Sequence, residues 1–422
     1  MLPLGPKSFK VRQYPPMLKT ISLYTGAGGL DLGLEAAGFE TSVAIEFDKW
    51  ACTTLRHNRP QWNVVHDDIH LVSSDQIRST GGFLKSDADL LIGGPPCQPF
   101  SKAAYWSKGD TKRLDDPRAD TLTAYLRVLR DLKPKAFLME NVFGITYKGK
   151  DEAISLLKNI IKNINSEEGT NYNFNLGVIN AADFGVPQVR ERVFIIGSRD
   201  GQPFNFPAPT HRDPEAQDLD LFPREVWRTA WDAIGDLEHL SHPDLAATGK
   251  WGDLLCSVPE GKNYLHHTNR GEGLPLFGWR TRYWSFLLKL AKDKPSWTIQ
   301  AQPGSAIGPF HWKNRRLSAR EMCRLQTFPD DYEVLGGRTE VQRQIGNAVP
   351  SLIGEILGRE IRRQFFKHPI ITAPKLLQRV NKKPYSEHPI GPVDQKYLNL
   401  IGEYQDHPGT GKGPMSLLAS SN

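Results

Sequence analysis

The sequence predicts an α/β protein, with a doubly wound, mostly parallel sheet joined to a smaller second domain. Three observations support this. Short apolar stretches alternate with helical ones up to about residue 198, the alternation then stops, and a helical pattern returns near 344–366. Apolar strands that alternate with helices indicate a parallel sheet covered on both faces. The 422 residues, 39% of them hydrophobic, suffice for a large core and for more than one domain.

Six strands and two clear helices are predicted in the first part of the chain. The strands are expected at 18–24, 41–46, 88–93, 136–140, 174–179 and 192–197. One helix is expected at 30–38 and the other at 121–132, where Leu122, Tyr125, Leu129 and Leu132 share a face. Helical patterns are also present at 318–332 and 344–366.

The domain boundaries follow from changes in composition. We expect a catalytic and cofactor-binding domain at 17–198, a small domain at 199–330 that includes 315–332, a return to the first domain at 331–366, and an extension of unknown role at 367–422. Residues 199–312 hold seven of the ten tryptophans, which favours an aromatic core for the small domain. Basic and aromatic residues interleave at 278–284, a pattern also found on nucleic-acid-binding surfaces.

Composition narrows the possible partners, metal sites and location of the protein. The net charge of +6 fits a nucleic-acid partner, although many unrelated proteins share such a value. The four cysteines form no CxxC pair and no zinc-like cluster, so neither a disulfide framework nor a metal site is expected. We find neither a signal-peptide pattern nor a run of ~20 apolar residues, and therefore expect a soluble intracellular protein with no membrane partner.

A glycine turn follows the first strand, in the stretch YTGAGGLDLGLEAAG (24–38). Gly26, Gly28 and Gly29 allow positive φ and close approach of a ligand to the backbone. Glu46 ends the next strand, where an acidic residue can accept hydrogen bonds from ribose hydroxyls. Together they predict a nucleotide-like cofactor. Asp68 could bind an adenine amino group or could equally be a helix N-cap.

A cysteine lies between prolines in GGPPCQPFS (93–101), directly after a predicted strand. Pro95, Pro96 and Pro99 restrict the backbone around Cys97, and the carboxyl ends of parallel strands are where such folds place their sites. Cys97 is therefore a candidate nucleophile, active as the thiolate. The alternative is a structural thiol in a loop.

Charged residues mark two further strand ends. Glu140 lies in MEN (139–141), at the end of a predicted strand, and burial could raise its pKa so that it donates a proton; a capping or salt-bridged glutamate is the alternative. Arg190 and Arg192 alternate in PQVRERV (187–193) and therefore point to one side. They line a site or lie on a charged surface.

These motifs, in this order, resemble those of the cytosine-5 DNA methyltransferase family over most of residues 18–365. The stretches that carry the resemblance are YTGAGGLDLGLEAAGFE, PPCQPFS, ENV, QVRER, RRLSAREMCRLQTFPDDY (315–332) and QIGNAVP (344–350). The resemblance implies a Rossmann-like fold that uses S-adenosylmethionine and releases S-adenosyl-L-homocysteine. It places residues 199–312 where the family keeps its target-recognition region, and it implies two lobes around a cleft for duplex DNA.

The resemblance also implies roles for individual residues. Cys97 would attack C6 of a flipped-out cytosine, Glu140 would bind N3 and the exocyclic amine, and Arg192 would bind O2 with Arg190 in support. The cofactor residues would be Tyr24, Gly26, Gly28, Gly29, Leu30, Glu46, Phe47, Asp68, Ile69, Pro95, Asn347 and Val349. The DNA contacts would be Ser101, Lys102, Arg118, Gln188 and Thr298, the first three in a basic loop closing over DNA.

The function predicted from these residues is methylation of C5 in a short duplex DNA sequence. The enzyme would protect host DNA as part of a restriction–modification system, act as a monomer in the bacterial cytoplasm at the nucleoid, and work separately from any cognate endonuclease. A transfer-RNA cytosine-5 methyltransferase is the alternative, but that subfamily carries a CFT signature, whereas Cys256 is the one cysteine in 199–312 and lies in LLCSVPEG. A non-catalytic binding protein and an NAD-dependent oxidoreductase explain fewer motifs.

Overall fold

A seven-stranded sheet forms the centre of the computed structural model, which describes residues 17–83, 87–96, 120–142, 151–216 and 223–403. Its strands are β1 (Leu18–Leu23), β2 (Phe39–Glu46), β3 (Asn63–His66), β4 (Leu90–Gly93), β5 (Ala136–Val142), β6 (Asn173–Asn180) and β7 (Glu191–Ser198). Their order is β3-β2-β1-β4-β5-β7-β6, and β7 runs antiparallel to both β5 and β6 while the other neighbours are parallel. The predicted fold class is confirmed.

Helices cover both faces of this sheet, and three further helices pack in a separate cluster. In chain order the helices are α1 (Gly29–Ala36), α2 (Lys49–Asn58), α3 (Ser74–Thr80), α4 (Asp120–Leu132), α5 (Asp151–Glu168), α6 (Ala230–Ile234), α7 (Ala319–Leu325), α8 (Arg338–Asn347) and α9 (Ser351–Gln364), of which α6, α7 and α8 are in the separate cluster. None of these helices combines the length and the apolar character that crossing a bilayer requires. One core lies among the sheet, α4 and α5; the other lies among the sheet, α1 and α9.

The sequence patterns located the strands better than the ends of the helices. All six predicted strands are present, but β3 was missed because its four residues are too short for a periodic signal. The helix predicted over 318–332 ends at Leu325. The pattern at 344–366 belongs to two helices, since Pro350 is the N-cap of α9 and the chain is extended just before it.

The described part of residues 199–312 is largely irregular, with the short helix α6, short 3₁₀ turns and the two-residue strands β8 (His211–Arg212) and β9 (Glu225–Val226). Part of this region has an aromatic core in which Phe277, Phe286 and Trp251 pack together. A further cluster joins Trp231 and Trp312 to residues of α1, α2 and α7. Apolar packing therefore connects the small region to the sheet-bearing part of the molecule.

The chain beyond α9 runs back across the molecule as what we call the C-terminal strap (residues 371–403). At its start, the backbone N–H of Lys375 donates to the buried carboxylate of Glu355 on α9, at 2.7 Å. Farther along, the N–H of Asn381 donates to Asp232 on α6, also at 2.7 Å. The strap therefore contacts both the sheet-bearing part and the small region.

Candidate active site

The carboxyl ends of β1, β2, β4 and β5 surround a cavity of about 690 Å³. This is the edge at which doubly wound sheets bind ligands. The predicted site residues that line it are Tyr24, Gly26, Gly29, Leu30, Glu46, Phe47, Asp68, Ile69, Pro95, Glu140, Arg192, Asn347 and Val349. One cavity thus contains both the predicted cofactor residues and two of the predicted catalytic groups.

Glu46 is held in place by the turn that it faces. The backbone N–H of Gly26 donates to its Oε2 at 2.6 Å, and the N–H of Asp48 donates to its Oε1 at 2.8 Å. Burial raises the pKa of Glu46, and these two hydrogen bonds oppose the shift. Gly26 has φ of 56° and open space where a Cβ would be, so the cavity reaches its backbone.

The other two glycines of the turn differ from each other. Gly29 lines the cavity, and a Cβ there would lie 2.3 Å from the carbonyl oxygen of Val349. Gly28 does not line the cavity: it has φ of 76°, and a Cβ would lie 2.9 Å from Leu55 Cδ2. Gly28 therefore shapes the start of α1 and its packing on α2, and its predicted contact with a cofactor is not supported.

Polar and aromatic groups form the rim of the cavity on the β2 and β3 side. Phe47 is 73% exposed there, so that one ring face is available to a planar ligand. Asp68 Oδ1 accepts a hydrogen bond from the backbone N–H of His70 at 3.0 Å, and this bond lowers the pKa of Asp68. A charged acceptor therefore lies close to an exposed ring.

The proline loop enters the cavity from β4. Asn141 Nδ2 donates to the carbonyl of Pro95 at 3.3 Å, and the hydroxyl of Thr121 donates to that of Pro96 at 3.1 Å. Tyr24 donates its hydroxyl to the carbonyl of Thr121 at 2.8 Å, which links the glycine turn to the same loop. The predicted residues Cys97, Ser101, Lys102 and Arg118 lie outside the described residues.

Glu140 and Arg192 form an ion pair on the cavity wall, with Arg192 Nε 2.9 Å from Glu140 Oε1. Burial raises the pKa of Glu140, and the neighbouring guanidinium opposes this shift. A Cβ at Gly94 would lie 3.0 Å from Glu140 Oε2, so a small residue is needed where the loop passes the carboxyl group. The result is a carboxyl group able to hold a proton above its usual pH range, beside a fixed positive charge.

Arg190 lies behind this wall and does not line the cavity. Its Nη2 donates to the carbonyl of Gly346 at 2.7 Å, and its Nη1 donates to that of Ile299 at 3.4 Å. Burial lowers the pKa of Arg190. Its described contacts join the start of β7 to α8 and to the small region, so it positions the site and does not face a substrate.

The predicted DNA contacts Gln188 and Thr298 lie in two segments that pair with each other, Gln188 bridging to Ser296. Gln188 is fully buried and donates to the carbonyl of Leu325 at 3.3 Å. Its prediction as a DNA contact is not supported, because its amide is used inside the protein. Thr298 is half-buried and donates to the carbonyl of Val189 at 2.8 Å.

Sequence reasoning missed several polar residues of the cavity, among them Asp31 and Arg343. Asp31 lines it while being only 1% exposed; it stands within the glycine motif, so the motif itself could have identified it. Arg343 on α8 also lines it, and its Nη2 lies 2.7 Å from Asp48 Oδ2. Nothing in the sequence indicates the Arg343–Asp48 pair, because its members are 295 residues apart.

An exposed aromatic surface lies near the paired segments. Tyr283, Trp284 and Trp297 are 66%, 54% and 44% exposed, and the two indole rings are 5.9 Å apart in an edge-to-face arrangement. Trp297 directly follows Ser296, which pairs with Gln188. Nearby, the guanidinium of Arg270 lies 4.6 Å from the Trp279 ring centroid. We refer to Tyr283, Trp284 and Trp297 as the aromatic surface.

The fold and cavity define a Rossmann-like enzyme with a site for a nucleoside cofactor next to a carboxyl–guanidinium pair. Comparison with known proteins identifies the family. Residues 18–363 match the C-5 cytosine-specific DNA methylase family, and the chain belongs to it as a DNA cytosine-5 methyltransferase. The resemblance noted from the motifs is confirmed.

Several type II methyltransferases are similar to this chain. M.SacI of Streptomyces achromogenes is 38% identical over 370 residues, which cover 82% of this chain and 93% of M.SacI. M.NgoFVII of Neisseria gonorrhoeae is 36% identical, over 79% of this chain and 83% of that protein. Among solved structures, a putative DNA modification methyltransferase from an Escherichia coli prophage superposes with a TM-score of 0.56 at 22% identity, over 83% of this chain and 99% of that one. This last likeness concerns the fold.

Proposed function

We propose that this enzyme transfers a methyl group from S-adenosylmethionine to C5 of a cytosine within a short duplex DNA sequence. The observation that carries the proposal is the Glu140–Arg192 pair, which shares its cavity with the glycine turn and with Pro96, the residue before Cys97. The relatives are type II methyltransferases, and we extend to this chain the role of modification enzyme in a restriction–modification system.

The cavity fits S-adenosylmethionine in size and in chemistry. Glu46 would accept hydrogen bonds from the ribose hydroxyls, Phe47 would stack on the adenine, and Asp68 would accept from its amino group. The open side of Gly26 leaves room for the ligand beside the backbone. When bound, this cofactor supplies an electrophilic methyl group.

The protein residues would make C5 of cytosine nucleophilic. The Cys97 thiolate adds to C6 of the base, and Glu140 donates its proton to N3 so that negative charge does not accumulate on the ring. Arg192 binds O2 and keeps the base aligned. After C5 has been methylated, a base removes the C5 proton, Cys97 leaves and N3 returns its proton to Glu140, which restores the aromatic ring.

This chemistry requires the cytosine to leave the helix, because a stacked base does not expose C6 to the thiol. The aromatic surface is suited to contact the DNA around the flipped-out cytosine, since exposed indole rings stack on bases. Thr298 lies beside it, and Lys102 and Arg118 of the basic loop would bind phosphates. We propose that residues 199–312 read the target sequence, and that one copy of the enzyme binds each site.

The test is to express the chain in a methylation-free bacterial host and sequence the host DNA for 5-methylcytosine. Methylation at one short motif is expected, with none from Cys97→Ala, whose binding of S-adenosylmethionine should stay close to wild type by calorimetry. Unmethylated DNA from soluble wild-type protein that binds the cofactor would contradict the proposal. Transfer RNA from the same cells would then be analysed for 5-methylcytosine. Methylation by Cys97→Ala would disprove the covalent mechanism.

A further inference from the structure

A second cavity, of about 460 Å³, lies beyond the active site, against the N-terminal half of α8. Two guanidinium-bearing side chains line it, Arg316 and Arg338, together with the chain segment 301–305. We call it the arginine cavity. Arg316 belongs to the motif at 315–332, but neither arginine has been given a role above.

The two arginines have few protein partners for their charge. Arg316 Nη2 donates to the hydroxyl of Thr248 at 2.5 Å, and Arg338 Nη2 donates to the carbonyl of Leu317 at 3.1 Å. Among the described residues, no carboxylate lies within ion-pair distance of either. The nearby carboxylate of Glu321 is already held by Arg315, at 2.7 and 2.8 Å.

The two arginines also act on each other. Burial lowers the pKa of Arg338 and the charge of Arg316 lowers it further, while the carboxylates of Asp244 and Glu321 oppose the shift. Two like charges that share a cavity without a carboxylate cost free energy, and an anion bound between them would recover it. Paired guanidinium groups are well suited to the oxygens of a phosphate.

Helix α8 connects this cavity to the active site. Arg343 and Asn347, toward its C-terminal end, line the active-site cavity, whereas Arg338 and Gln342 line the arginine cavity. From Arg338 to Asn347 the helix rises ~13 Å. Phosphates along one DNA strand advance ~3.4 Å per nucleotide, so a strand running along the axis of α8 would span this distance in about four nucleotides.

The chain segment that follows Thr298 also connects the arginine cavity to the active site. Ile299 lines the cavity and accepts a hydrogen bond from Arg190, and Gln342 Nε2 donates to the carbonyl of Gln300 at 3.0 Å. The cavity therefore begins one residue beyond Thr298, in the segment that also carries Trp297 of the aromatic surface.

We propose that the arginine cavity binds a backbone phosphate of the substrate DNA, about four nucleotides from the target cytosine, through Arg316 and Arg338. This inference rests on the proposed function, because it takes duplex DNA as the substrate. The contact carries no base information; it holds the strand in register while the base is out of the helix.

The first experiment measures DNA affinity of the full-length protein against salt concentration, with S-adenosyl-L-homocysteine present to prevent turnover. Arg316→Gln with Arg338→Gln removes one phosphate contact, so it should reduce the slope of log affinity against log salt by about one and weaken binding about tenfold. The matched control, Arg379→Gln with Lys382→Gln, removes two exposed charges from the C-terminal strap and should keep the wild-type slope. An unchanged slope in the Arg316/Arg338 variant overturns the proposal.

A second experiment locates the phosphate. Single methylphosphonate linkages, which are neutral, are placed one at a time around the target cytosine. Wild type should lose affinity at one or two adjacent linkages about four nucleotides away, and the double variant should be insensitive to them. Sensitivity that persists in the variant overturns the assignment, as does its absence in wild type.

A third experiment distinguishes DNA from free anions and guards against misfolding. Arg316→Lys with Arg338→Lys keeps both charges and should recover most of the salt slope, whereas a variant that is merely misfolded would not be rescued. If inorganic phosphate raises the melting temperature of wild type but not of the glutamine variant, while their DNA slopes are equal, the site binds free anions and the DNA proposal fails. Wild type that neither methylates nor binds DNA overturns the proposed function as well.

Discussion

Glu140 shows how one side chain acquires its properties from opposing influences. Burial raises the pKa of its carboxyl group, and Arg192 at 2.9 Å opposes that shift while fixing its orientation. A carboxyl group protonated at higher pH than usual is the state needed to donate to a ring nitrogen. The ion pair alone would favour the ionised form, so the burial of this strand end is essential to the proposed role.

Replacing Glu140 with glutamine tests that role. The amide can still donate a hydrogen bond but cannot transfer a proton, so single-turnover methylation should fall about 10²- to 10⁴-fold. The alkaline decrease in rate that Glu140 causes in wild type should also disappear. Rapid-quench assays from pH 6 to 9 would measure both. A variant with the wild-type rate and pH profile would contradict the assignment.

Asp31 is a second buried carboxyl group, and its effect is on stability. Burial raises its pKa from 3.8 to about 7, while Thr41 Oγ1 donates to it at 3.0 Å. The folded state therefore binds a proton more tightly than the unfolded state does. The resulting stability is complete below about pH 4 and is lost as the pH rises to about 7, by at most ~4 kcal/mol.

Asp31→Asn should remove this pH dependence. The free energy of unfolding of wild type, relative to that of the variant, should decrease between pH 5 and pH 8 in urea denaturation. Asp75→Asn, which alters a carboxylate whose side chain is 98% exposed, serves as the control and should follow wild type. Parallel curves for Asp31→Asn and wild type would rule out the assigned titration.

At the scale of elements, the contact between α1 and α9 sets the geometry behind the glycine turn. A Cβ at Gly33 would lie 2.1 Å from the carbonyl oxygen of Ser351, and a Cβ at Gly354 would lie 2.7 Å from that of Leu30. The two helices therefore touch backbone to backbone. Val349 lies two residues before the start of α9, and its carbonyl oxygen faces Gly29. The contact between the helices therefore brings the last motif to the first.

Gly33→Ala should therefore be strongly destabilising, even though alanine favours a helix. Neither backbone can move away without shifting a whole helix, so we expect a loss of about 3 kcal/mol or more. Gly304→Ala is the control, since its nearest contact would be Ile307 Cγ1 at 3.5 Å. Equal melting temperatures for the two variants would show that the helices separate more easily than their packing indicates.

At the scale of the whole molecule, the C-terminal strap connects parts that are distant in sequence. Beyond Asn381, its Tyr385 ring lies 5.0 Å from that of Trp231, and its Tyr397 ring is stacked on Trp251 at 5.7 Å. The strap thus covers aromatic residues of the small region after leaving α9. The extension whose role the sequence left open therefore has extensive contacts over residues 371–403.

A chain that ends at residue 370 should be less stable than the full chain. Removing the strap exposes aromatic surface and leaves Trp231 without Tyr385, so the melting temperature should fall by several degrees. Tyr385→Ala should produce a smaller decrease in the same direction. Differential scanning calorimetry of the three proteins measures this. A truncated chain with the same melting temperature as wild type would show that the strap contributes nothing to folding stability.

The sequence by itself determined the fold class, six strands of the sheet, the family and many of the residues that line the cavity. These follow from local signals: apolar alternation, glycines at a turn, prolines around Cys97 and charges at strand ends. Tertiary structure alone decided that Gln188 is buried, that Arg190 lies behind the wall, and that Arg316 and Arg338 share a cavity. Burial and electrostatic partners depend on segments distant in sequence, so no local pattern encodes them.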